Sequence, residues 1–268
     1  MTDQARTGGV LDAILAQTRD RVAAERARRP LDSSHPAVRK APAVRPFAEA
    51  LARPGRINVV AEHKRRSPSR GAIREDLRPA DVARDYEAAG AAAISVLTDE
   101  AFFGGRMAHL EEVRAATALP VLRKDFVLDP WQVWEARAAG ADAVLLIVAA
   151  LTDADLGGLL AVAREAGLDA LVEVHDRGEL DRALASGSRL VGVNSRDLRT
   201  LAVSLDAALA LAPSIPDDVV AVAESGIRTG ADVRRLRDAG FDAFLVGEHL
   251  MGAPDPGRAL KRLLEEAG

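Results

Sequence analysis

The stretch AVLLIVAA at residues 143–150 is apolar throughout, and a helical pattern separates it from a second apolar run, DALVEVHD, at residues 169–176. The same alternation extends in both directions and gives eight candidate strands: residues 57–64, 92–99, 120–127, 143–150, 169–176, 190–195, 219–226 and 243–248. Strands without a polar face need cover on both sides, which favours a parallel sheet between helices. The phrase A-G-x-D-A joins a helix to the next strand three times, as AAGADAV, EAGLDAL and DAGFDAF, and indicates a repeated βα unit.

The number and spacing of these units predict the fold. Eight βα units between residues 57 and 268 favour a closed barrel, and the alternative is an open doubly wound sheet. The chain has no G-x-G-x-x-G after a strand and no G-x-x-x-x-G-K-[ST], which disfavours the nucleotide-binding open sheets. Helix-ending glycines support the helical segments, since a left-handed helix end favours glycine: Gly90, Gly140, Gly167, Gly187 and Gly240. The predicted fold class is α/β, a single (β/α)8 TIM barrel with an N-terminal helical extension.

The first 56 residues differ from the repeat and are predicted to form that extension, with residues 57–268 as the barrel. Apolar residues fall largely on one face of a helix near the N-terminus: Val10, Leu11, Ile14, Leu15 and Val22. The segment RPLDSSHPAVRKAPAVRPF follows, and its four prolines predict an extended connector.

Composition excludes several classes of protein. The 268 residues are 48% hydrophobic and 28% charged, so the chain can bury a core and is not mainly disordered. A net charge of −4 argues against a nucleic-acid or anionic-membrane binder. The absence of cysteine removes thiol nucleophiles and cysteine-based metal sites. Charged residues interrupt every apolar run near the N-terminus, so we expect a cytoplasmic protein without membrane or nucleic-acid partners.

Polar residues stand at the carboxyl ends of most candidate strands, where barrels of this kind carry their reactive groups. They are Glu62 and Lys64, Lys124, Glu173, Asn194 and Arg196, Glu224 and Ser225, and Gly247 and Glu248. Side chains alternate along a strand, so Glu62 and Lys64 share one side while His63 points the other way and is predicted to pack.

Lysine is scarce, with four residues among the 36 Lys and Arg, and two of them, Lys64 and Lys124, stand at strand ends. Lysine can give up a proton at accessible pH and arginine cannot, so this choice indicates acid–base chemistry. A ring of both lysines with three glutamates would hold proton donors and acceptors that compensate one another's charge. The alternative is that Lys64 and Lys124 are solvated strand ends paired with Glu62 or Asp125.

Glycines and hydroxyls cluster after three strands, in KRRSPSRG, SGIRTG and VGEHLMGAP. The last two follow the seventh and eighth strands, where such barrels often bind phosphate. The alternative for KRRSPSRG is a solvated basic stretch. The five histidines lack metal-binding spacing, so no metal site is expected. Four aromatic residues follow strands two and three and could wall a pocket or pack loops: Phe102, Phe103, Phe126 and Trp131.

Seven strings occur together in this order: AEHKRRSPSRG, SVLTDEAFFGG, VLRKDFVLDPWQVWEARAAGADAVLLI, LVEVHD, VGVNSRDLRTL, VAESGI and VGEHLM. They resemble the indole-3-glycerol phosphate synthase family of tryptophan biosynthesis. The resemblance implies a single barrel whose N-terminal extension covers the active face. It also implies ring closure of 1-(2-carboxyphenylamino)-1-deoxyribulose 5-phosphate with loss of carbon dioxide and water, without cofactor or metal. The expected partner is this anionic sugar phosphate alone, bound to a monomer.

The resemblance implies a role for each matching residue. Lys124 is expected to be the general acid at the ribulose carbonyl and Glu173 the general base in dehydration. Lys64 contacts the substrate and could itself act as an acid, so the division between the lysines stays open. The other catalytic residues are Glu62, Glu224 and Asn194, and the substrate-binding residues are Arg196, Ser67, Ser225, Gly226, Gly247, Glu248 and Phe126. The chain departs from the family's usual residues at Ser195 and His249.

Two other functions remain open at this point. A lysine could attack a sugar-phosphate carbonyl covalently, as in Schiff-base barrel lyases. A barrel could also bind phosphate without turnover and serve as a scaffold for partners.

Overall fold

A computed structural model describes residues 9–68, 70–197 and 200–268, so the first eight residues of the predicted extension lie outside the described residues. The barrel strands are β1 Asn58–His63, β2 Ala93–Leu97, β3 Val121–Lys124, β4 Ala143–Ile147, β5 Asp169–Val174, β6 Leu190–Asn194, β7 Val220–Glu224 and β8 Ala243–Val246. Each strand pairs in parallel with the next, and β8 pairs with β1, so the sheet closes. The predicted (β/α)8 barrel is confirmed, and the open sheet is wrong.

The helices alternate with these strands. They are α1 Val10–Arg28, α2 Pro36–Arg39, α3 Phe47–Leu51, α4 Pro79–Ala89, α5 Glu100–Phe103, α6 Met107–Ala116, α7 Pro130–Ala138, α8 Asp153–Glu165, α9 Arg177–Ala185, α10 Leu205–Leu211, α11 Gly230–Asp238, α12 Glu248–Met251 and α13 Pro256–Ala267. The five helix-ending glycines named from the sequence all have positive φ, from 72° to 108°, as predicted. None of the helices in the described ranges combines the length and apolar character needed to cross a bilayer.

The aspartate of the A-G-x-D-A repeat secures the amino-terminal end of the barrel. Asp142, before β4, accepts a hydrogen bond from the backbone N–H of Val121 on β3 at 2.8 Å. Asp242 accepts one from Ala221 on β7 in the same way, also at 2.8 Å. Asp142 and Asp242 therefore tie the starts of their own strands to the preceding strand, whereas Asp169 of the third copy accepts a hydrogen bond from the backbone N–H of Ala48 on α3 at 2.8 Å.

Alternation along the strands separates two apolar layers. Val60, Leu122, Leu145, Leu171 and Leu245 belong to a cluster inside the barrel. Their neighbours along the strands pack outward against the helices, among them Val59, Val144 and Val172. Two residues further along the strands, at their carboxyl ends, the inward-pointing side chains are mostly polar. These side chains form the candidate site.

The described part of the N-terminal segment contacts both ends of the barrel. Ile14 and Leu15 of α1 join Phe126 at the carboxyl ends of the strands. At the opposite end, Phe47 and Leu51 of α3 are fully buried among the first residues of the strands. The division at residue 56 stays a prediction.

The connector predicted to be extended contains one helical turn, α2. Pro36 begins this turn, and the His35 ring accepts a hydrogen bond from the backbone N–H of Ala37 at 3.2 Å. Proline fits the first position of a helix because no backbone donor is needed there. The local cap therefore overrides the extended preference expected from the prolines.

Candidate active site

A cavity of about 710 Å³ opens at the carboxyl ends of the strands. Twelve of the residues predicted from the sequence line it: Glu62, Lys64, Lys124, Phe126, Glu173, Asn194, Arg196, Glu224, Ser225, Gly226, Gly247 and Glu248. Ser67 lines a smaller pocket of about 90 Å³, which shares Lys64, Phe126, Arg196 and Glu248 with the larger cavity. The structure therefore brings every site residue named from the sequence to one mouth of the barrel.

Lys124 lies at the centre of the charged groups. Its Nζ is 3.2 Å from Glu173 Oε2 and 3.0 Å from Glu224 Oε2. Burial lowers the pKa of Lys124, but the carboxylates of Glu224, Glu173 and Glu62 outweigh burial and raise this pKa above its ordinary value. Lys124 is thus an ammonium ion in the cavity, and the expected alternative pairing with Asp125 is wrong.

These groups share a level because of barrel geometry. Glu62, Lys124, Glu173 and Glu224 come from β1, β3, β5 and β7, and inward side chains of alternate strands occupy common layers in such barrels. Asp125, next to Lys124, points elsewhere and accepts hydrogen bonds from Thr98 Oγ1 at 2.8 Å and a nitrogen of the Arg123 guanidinium at 3.0 Å.

Lys64 pairs with Glu62, as the alternative interpretation of this lysine predicts. The pair lies inside the cavity, however, and not at a solvated strand end. Lys64 Nζ lies 2.5 Å from Glu62 Oε1, and only 14% of the Lys64 side chain is exposed. Burial raises the pKa of Glu62, yet Lys64 and Lys124 outweigh it and lower this pKa overall. Lys64 is therefore a cation lining the cavity and not a solvated strand end.

Glu173 and Glu224 differ in their environment although both face Lys124. Glu173 Oε1 also accepts a hydrogen bond from Asn194 Nδ2 at 3.1 Å. Burial raises the pKa of Glu173, but Lys124, His175 and Asn194 lower it below its usual range. Burial dominates at Glu224 and, with the charges of Glu173 and Glu62, raises its pKa to about 7 against the effect of Lys124. At neutral pH Glu173 is therefore an ionised base, and Glu224 can hold a proton.

Two glycines make room for two of these acids. A Cβ atom on Gly192 of β6 would collide with Glu224 Oε1, and one on Gly247 would collide with Glu62 Oε1. Gly192 lies on β6, next to the strand that carries Glu224, and Gly247 directly follows β8, which pairs with the strand that carries Glu62. Absence of a side chain at these positions is thus a condition for the placement of the carboxylates.

The turn after β7 has an unusual backbone. Ser225 and Gly226 adopt φ angles of 67° and 82°, in the left-handed region that side chains disfavour. Such a turn exposes consecutive backbone N–H groups and can form a concave anion site. This geometry lies where the sequence predicts phosphate contacts.

Glu248 is held between two arginines at the rim of the cavity. Its Oε2 lies 3.2 Å from a guanidinium nitrogen of Arg196, and its Oε1 lies 3.4 Å from one of Arg70. Arg66–Ser67 pair antiparallel with Gly71–Ala72, and Arg70 lines the cavity. Ser67 Oγ accepts a hydrogen bond from the backbone N–H of Arg70 at 3.2 Å.

The four aromatic candidates separate into two groups. Phe103 and Phe126 line the cavity, with ring centroids 6.3 Å apart. Phe102 packs beside the interior cluster, and Trp131 packs in the helix layer, where its Nε1 donates to the carbonyl of Arg29 at 2.7 Å. Phe103 and Phe126 therefore form the apolar wall, and Trp131 has a packing role.

His63 behaves as predicted and packs outside the barrel wall. Its ring lies edge-on to that of His109, with centroids 5.9 Å apart. Burial, together with the charges of His109 and Arg65, lowers the pKa of His63 to about 4.

Sequence reasoning missed His175 and Arg70. His175 lies two residues beyond Glu173, and its Nε2 is 3.4 Å from Glu173 Oε1. The same alternation that groups Glu62 with Lys64 would have identified His175. Arg70 had no such signal, because its approach to Glu248 depends on the pairing of Arg66–Ser67 with Gly71–Ala72.

The family model for indole-3-glycerol phosphate synthase matches residues 11–263. The indole-3-glycerol phosphate synthase of Aromatoleum aromaticum is 51% identical over 257 residues, covering 95% of this chain and 98% of the relative. That of Laribacter hongkongensis is 51% identical over 258 residues, with the same coverages.

Among solved structures, thiamine phosphate pyrophosphorylase from Pyrococcus furiosus has a TM-score of 0.60 at 20% identity, covering 83% of this chain and 98% of that one. Identity this low shows a shared fold alone. The sequence relatives are far closer and match almost end to end, which confirms the resemblance read from the motifs. The chain belongs to the indole-3-glycerol phosphate synthase family, the carboxy-lyases of tryptophan biosynthesis.

Proposed function

We propose that this chain closes the ring of 1-(2-carboxyphenylamino)-1-deoxyribulose 5-phosphate and releases carbon dioxide and water, with Lys124 as general acid and Glu173 as general base. The observation that carries the proposal is the Lys124 ammonium, which lies within 3.2 Å of Glu173 and Glu224 in the cavity. A proton donor and an ionised acceptor thus face the same small molecule.

Lys124 acts in the first step. Its ammonium donates to the ribulose carbonyl oxygen, which makes the carbonyl carbon electrophilic toward the aromatic ring carbon. The new carbon–carbon bond forms as the oxygen takes the proton. The bond to the carboxylate then breaks, its electron pair returns to the ring, and carbon dioxide leaves.

Glu173 acts in the second step. Its carboxylate removes a proton from the carbon next to the new hydroxyl-bearing carbon, and the hydroxyl leaves as water after protonation by a lysine. Lys64 is a second ammonium in the same cavity, so either lysine can supply this proton. Asn194 and Lys124 hold Glu173 in place before the reaction.

The two anionic ends of the substrate match different parts of the site. The left-handed turn at Ser225 and Gly226 provides backbone donors for the phosphate. Arg196 and Lys64 lie on the side of the small pocket and suit the anthranilate carboxylate, with Phe126 against its ring. Helix α1 acts as a cover in this proposal, which is supported by Val10, Leu11 and Ile14 in the lining of that pocket.

The decisive experiment supplies the anthranilate-derived ribulose phosphate to chelator-treated protein. We expect indole absorbance and fluorescence to appear, with release of one carbon dioxide per indole formed. Consumption of substrate without indole formation, or no turnover at all, would contradict the proposal.

A Schiff-base mechanism gives a different result in a second experiment. The Lys124 ammonium is stabilised by two carboxylates, and a protonated amine is not a nucleophile. Borohydride added during turnover should therefore leave the mass of the chain unchanged. A lysine that gains the mass of the reduced sugar adduct would replace acid catalysis with covalent catalysis.

A further inference from the structure

Behind Glu173 lies a second acidic residue that reaches it through a histidine. Glu173 and His175 are two residues apart, so both point to the same side of the extended chain at the end of β5. Helix α9 begins at Arg177, and Glu179 is its third residue. Its side chain turns back toward the strand, so Glu173, His175 and Glu179 form a continuous row.

Both ring nitrogens of His175 face a carboxylate. Nδ1 lies 3.0 Å from Glu179 Oε2, and Nε2 lies 3.4 Å from Glu173 Oε1. Glu179 Oε2 also accepts the backbone N–H of His175 at 2.8 Å, while Asp176 caps the helix by accepting the N–H of Glu179 at 2.9 Å. Only 13% of the His175 side chain is exposed. The ring is therefore held in one orientation.

An imidazole between two carboxylates is most stable when both nitrogens carry protons. Burial lowers the pKa of His175, but Glu173 and Glu179 outweigh it and raise this pKa to about 10. The imidazolium approaches Glu173 Oε1, whereas Lys124 contacts Oε2. His175 is thus a second cation beside Glu173.

The other groups around Glu173 do not replace this cation. Asn194 on β6 contributes a neutral hydrogen bond to Glu173. Glu224 on β7 and Glu62 on β1 are acids that interact with Lys124 themselves. When Lys124 turns to the substrate carbonyl, the charge of Glu173 is compensated mainly by His175.

We propose that His175, oriented by Glu179, is a positioning residue that keeps Glu173 ionised and fixes the direction of its carboxylate. The inference rests on the proposed function, in which Glu173 is the general base. His175 itself carries no proton to or from the substrate, because its two nitrogens are engaged by Glu173 and Glu179.

The first test measures protonation and does not depend on activity. Nitrogen NMR of the histidine rings, assigned with His175→Asn, should show His175 doubly protonated up to about pH 9. Glu179→Gln should lower the pKa of His175 by at least about one unit, because it removes one adjacent charge. Asp181→Asn, an exposed residue of α9 paired with Arg177, should leave it unchanged. A wild-type His175 that titrates near the ordinary 6.5 overturns the proposal.

The second test measures turnover. His175→Asn should lower kcat by about 10-fold to 10²-fold with little change in KM, since misplacement of a catalytic group affects mainly the chemical step. Glu179→Gln should lose activity at a lower alkaline pH than the wild type, because the imidazolium gives up its proton earlier. Asp181→Asn should match the wild type. An unchanged kcat in His175→Asn, or an unmoved alkaline limb in Glu179→Gln, overturns the positioning role.

Glu173→Gln separates the two proposals. If this variant retains wild-type kcat, Glu173 is not the base, and both proposals fail. If it is inactive while His175→Asn and Glu179→Gln behave as wild type, the proposed function stands and only the positioning role is overturned. Circular dichroism confirms folding of each variant, and Glu179→Gln keeps the size of the native side chain.

Discussion

Two lysines and three glutamates share one buried level at the mouth of the barrel, so their charges are interdependent. Breaking a buried ion pair by removing one partner typically costs about 3–5 kcal/mol, because the other charge is left without compensation. The raised pKa of Glu224 reduces the excess of negative charge. When Glu224 is protonated, the two lysine cations are balanced by the two remaining carboxylates. A change at one member of the group therefore alters the protonation of the rest.

Replacing Lys124 with methionine tests the proposed acid at this scale. Lys124→Met removes the ammonium but keeps a side chain of similar length, and we expect kcat to fall at least about 10²-fold, the usual contribution of a general acid. Steady-state kinetics by indole fluorescence measure the loss. Lys261→Met makes the same chemical change at an exposed position of α13 and should leave kcat unchanged. Unchanged turnover in Lys124→Met would remove Lys124 from its role.

Gly192→Ala tests the space beside Glu224. The added methyl group would overlap Glu224 Oε1, so the carboxylate must leave its present position against Lys124. We expect kcat to fall about 10-fold to 10²-fold and unfolding to become easier by about 1–3 kcal/mol, as in overpacked cores.

The control for this variant is Gly158→Ala. Gly158 lies in α8 with open space around its Cα, so alanine should stabilise the protein by about 0.5–1 kcal/mol through helix propensity. Thermal unfolding and indole formation distinguish the two variants. Wild-type kinetics in Gly192→Ala would show that Glu224 tolerates displacement.

Single residues show how far sequence reasoning reaches. Strand alternation placed Glu62, Lys64, Lys124, Glu173 and Glu224 at one mouth, because inward direction depends only on a period of two. It did not determine that Lys124 pairs with acids on β5 and β7, since these contacts join residues 49 and 100 positions away. Pairings of this kind depend on barrel closure and on side-chain packing.

At the scale of elements, each barrel strand lies inside its predicted run but is shorter. The run at residues 120–127 contains β3, which ends at Lys124. Asp125 then accepts a hydrogen bond from the backbone N–H of Phe126, so the chain leaves the sheet through a local turn. Apolar character continues past the strand because Phe126 and Val127 are buried by other elements. The pairing of Arg66–Ser67 with Gly71–Ala72 was not predictable either, because the residues of this segment favour a loop.

Phe47 of α3 tests whether the two ends of the barrel have separate roles. In barrels of this fold, residues at the amino-terminal end typically serve stability, and residues at the carboxyl end carry the chemistry. Phe47 is fully buried, so Phe47→Ala should destabilise the protein by about 3–5 kcal/mol and leave kcat unchanged under folding conditions.

Urea unfolding and kinetics below the transition measure both effects. Glu49→Ala, exposed on the same helix, should change stability by less than about 0.5 kcal/mol. A loss of kcat in folded Phe47→Ala would mean that the packing of α3 at the amino-terminal end also shapes the active face.

For the whole molecule, stability should decrease in acid partly through His63. Its pKa is about 4 in the folded state and 6.5 without the fold, so the unfolded chain binds more protons between these values. The stability contributed by neutral His63 is therefore full above pH 6.5 and is lost as the pH falls toward 4, by at most about 3 kcal/mol. The charges of His109 and Arg65 lower this pKa further, and that of Glu62, on the other side of the strand, raises it.

His63→Leu isolates this effect, since leucine cannot take up a proton. We expect its free energy of unfolding to fall less than that of the wild type between pH 7 and pH 5, as measured by urea denaturation. Parallel losses in the two proteins would assign the acid sensitivity to other groups.

The adjoining glycines and glutamates restrict how this barrel can be redesigned. Gly192 accommodates Glu224, and Gly247 accommodates Glu62. In each pair, the residue at the glycine position therefore restricts which residues can occupy the glutamate position, and the reverse also holds. A designer who enlarges one glycine must shorten or remove the neighbouring acid in the same step, and an acid moved to another strand requires a new glycine beside it. Libraries that vary these positions one at a time would contain mostly inactive sequences, whereas libraries that vary them as linked pairs would retain working ones.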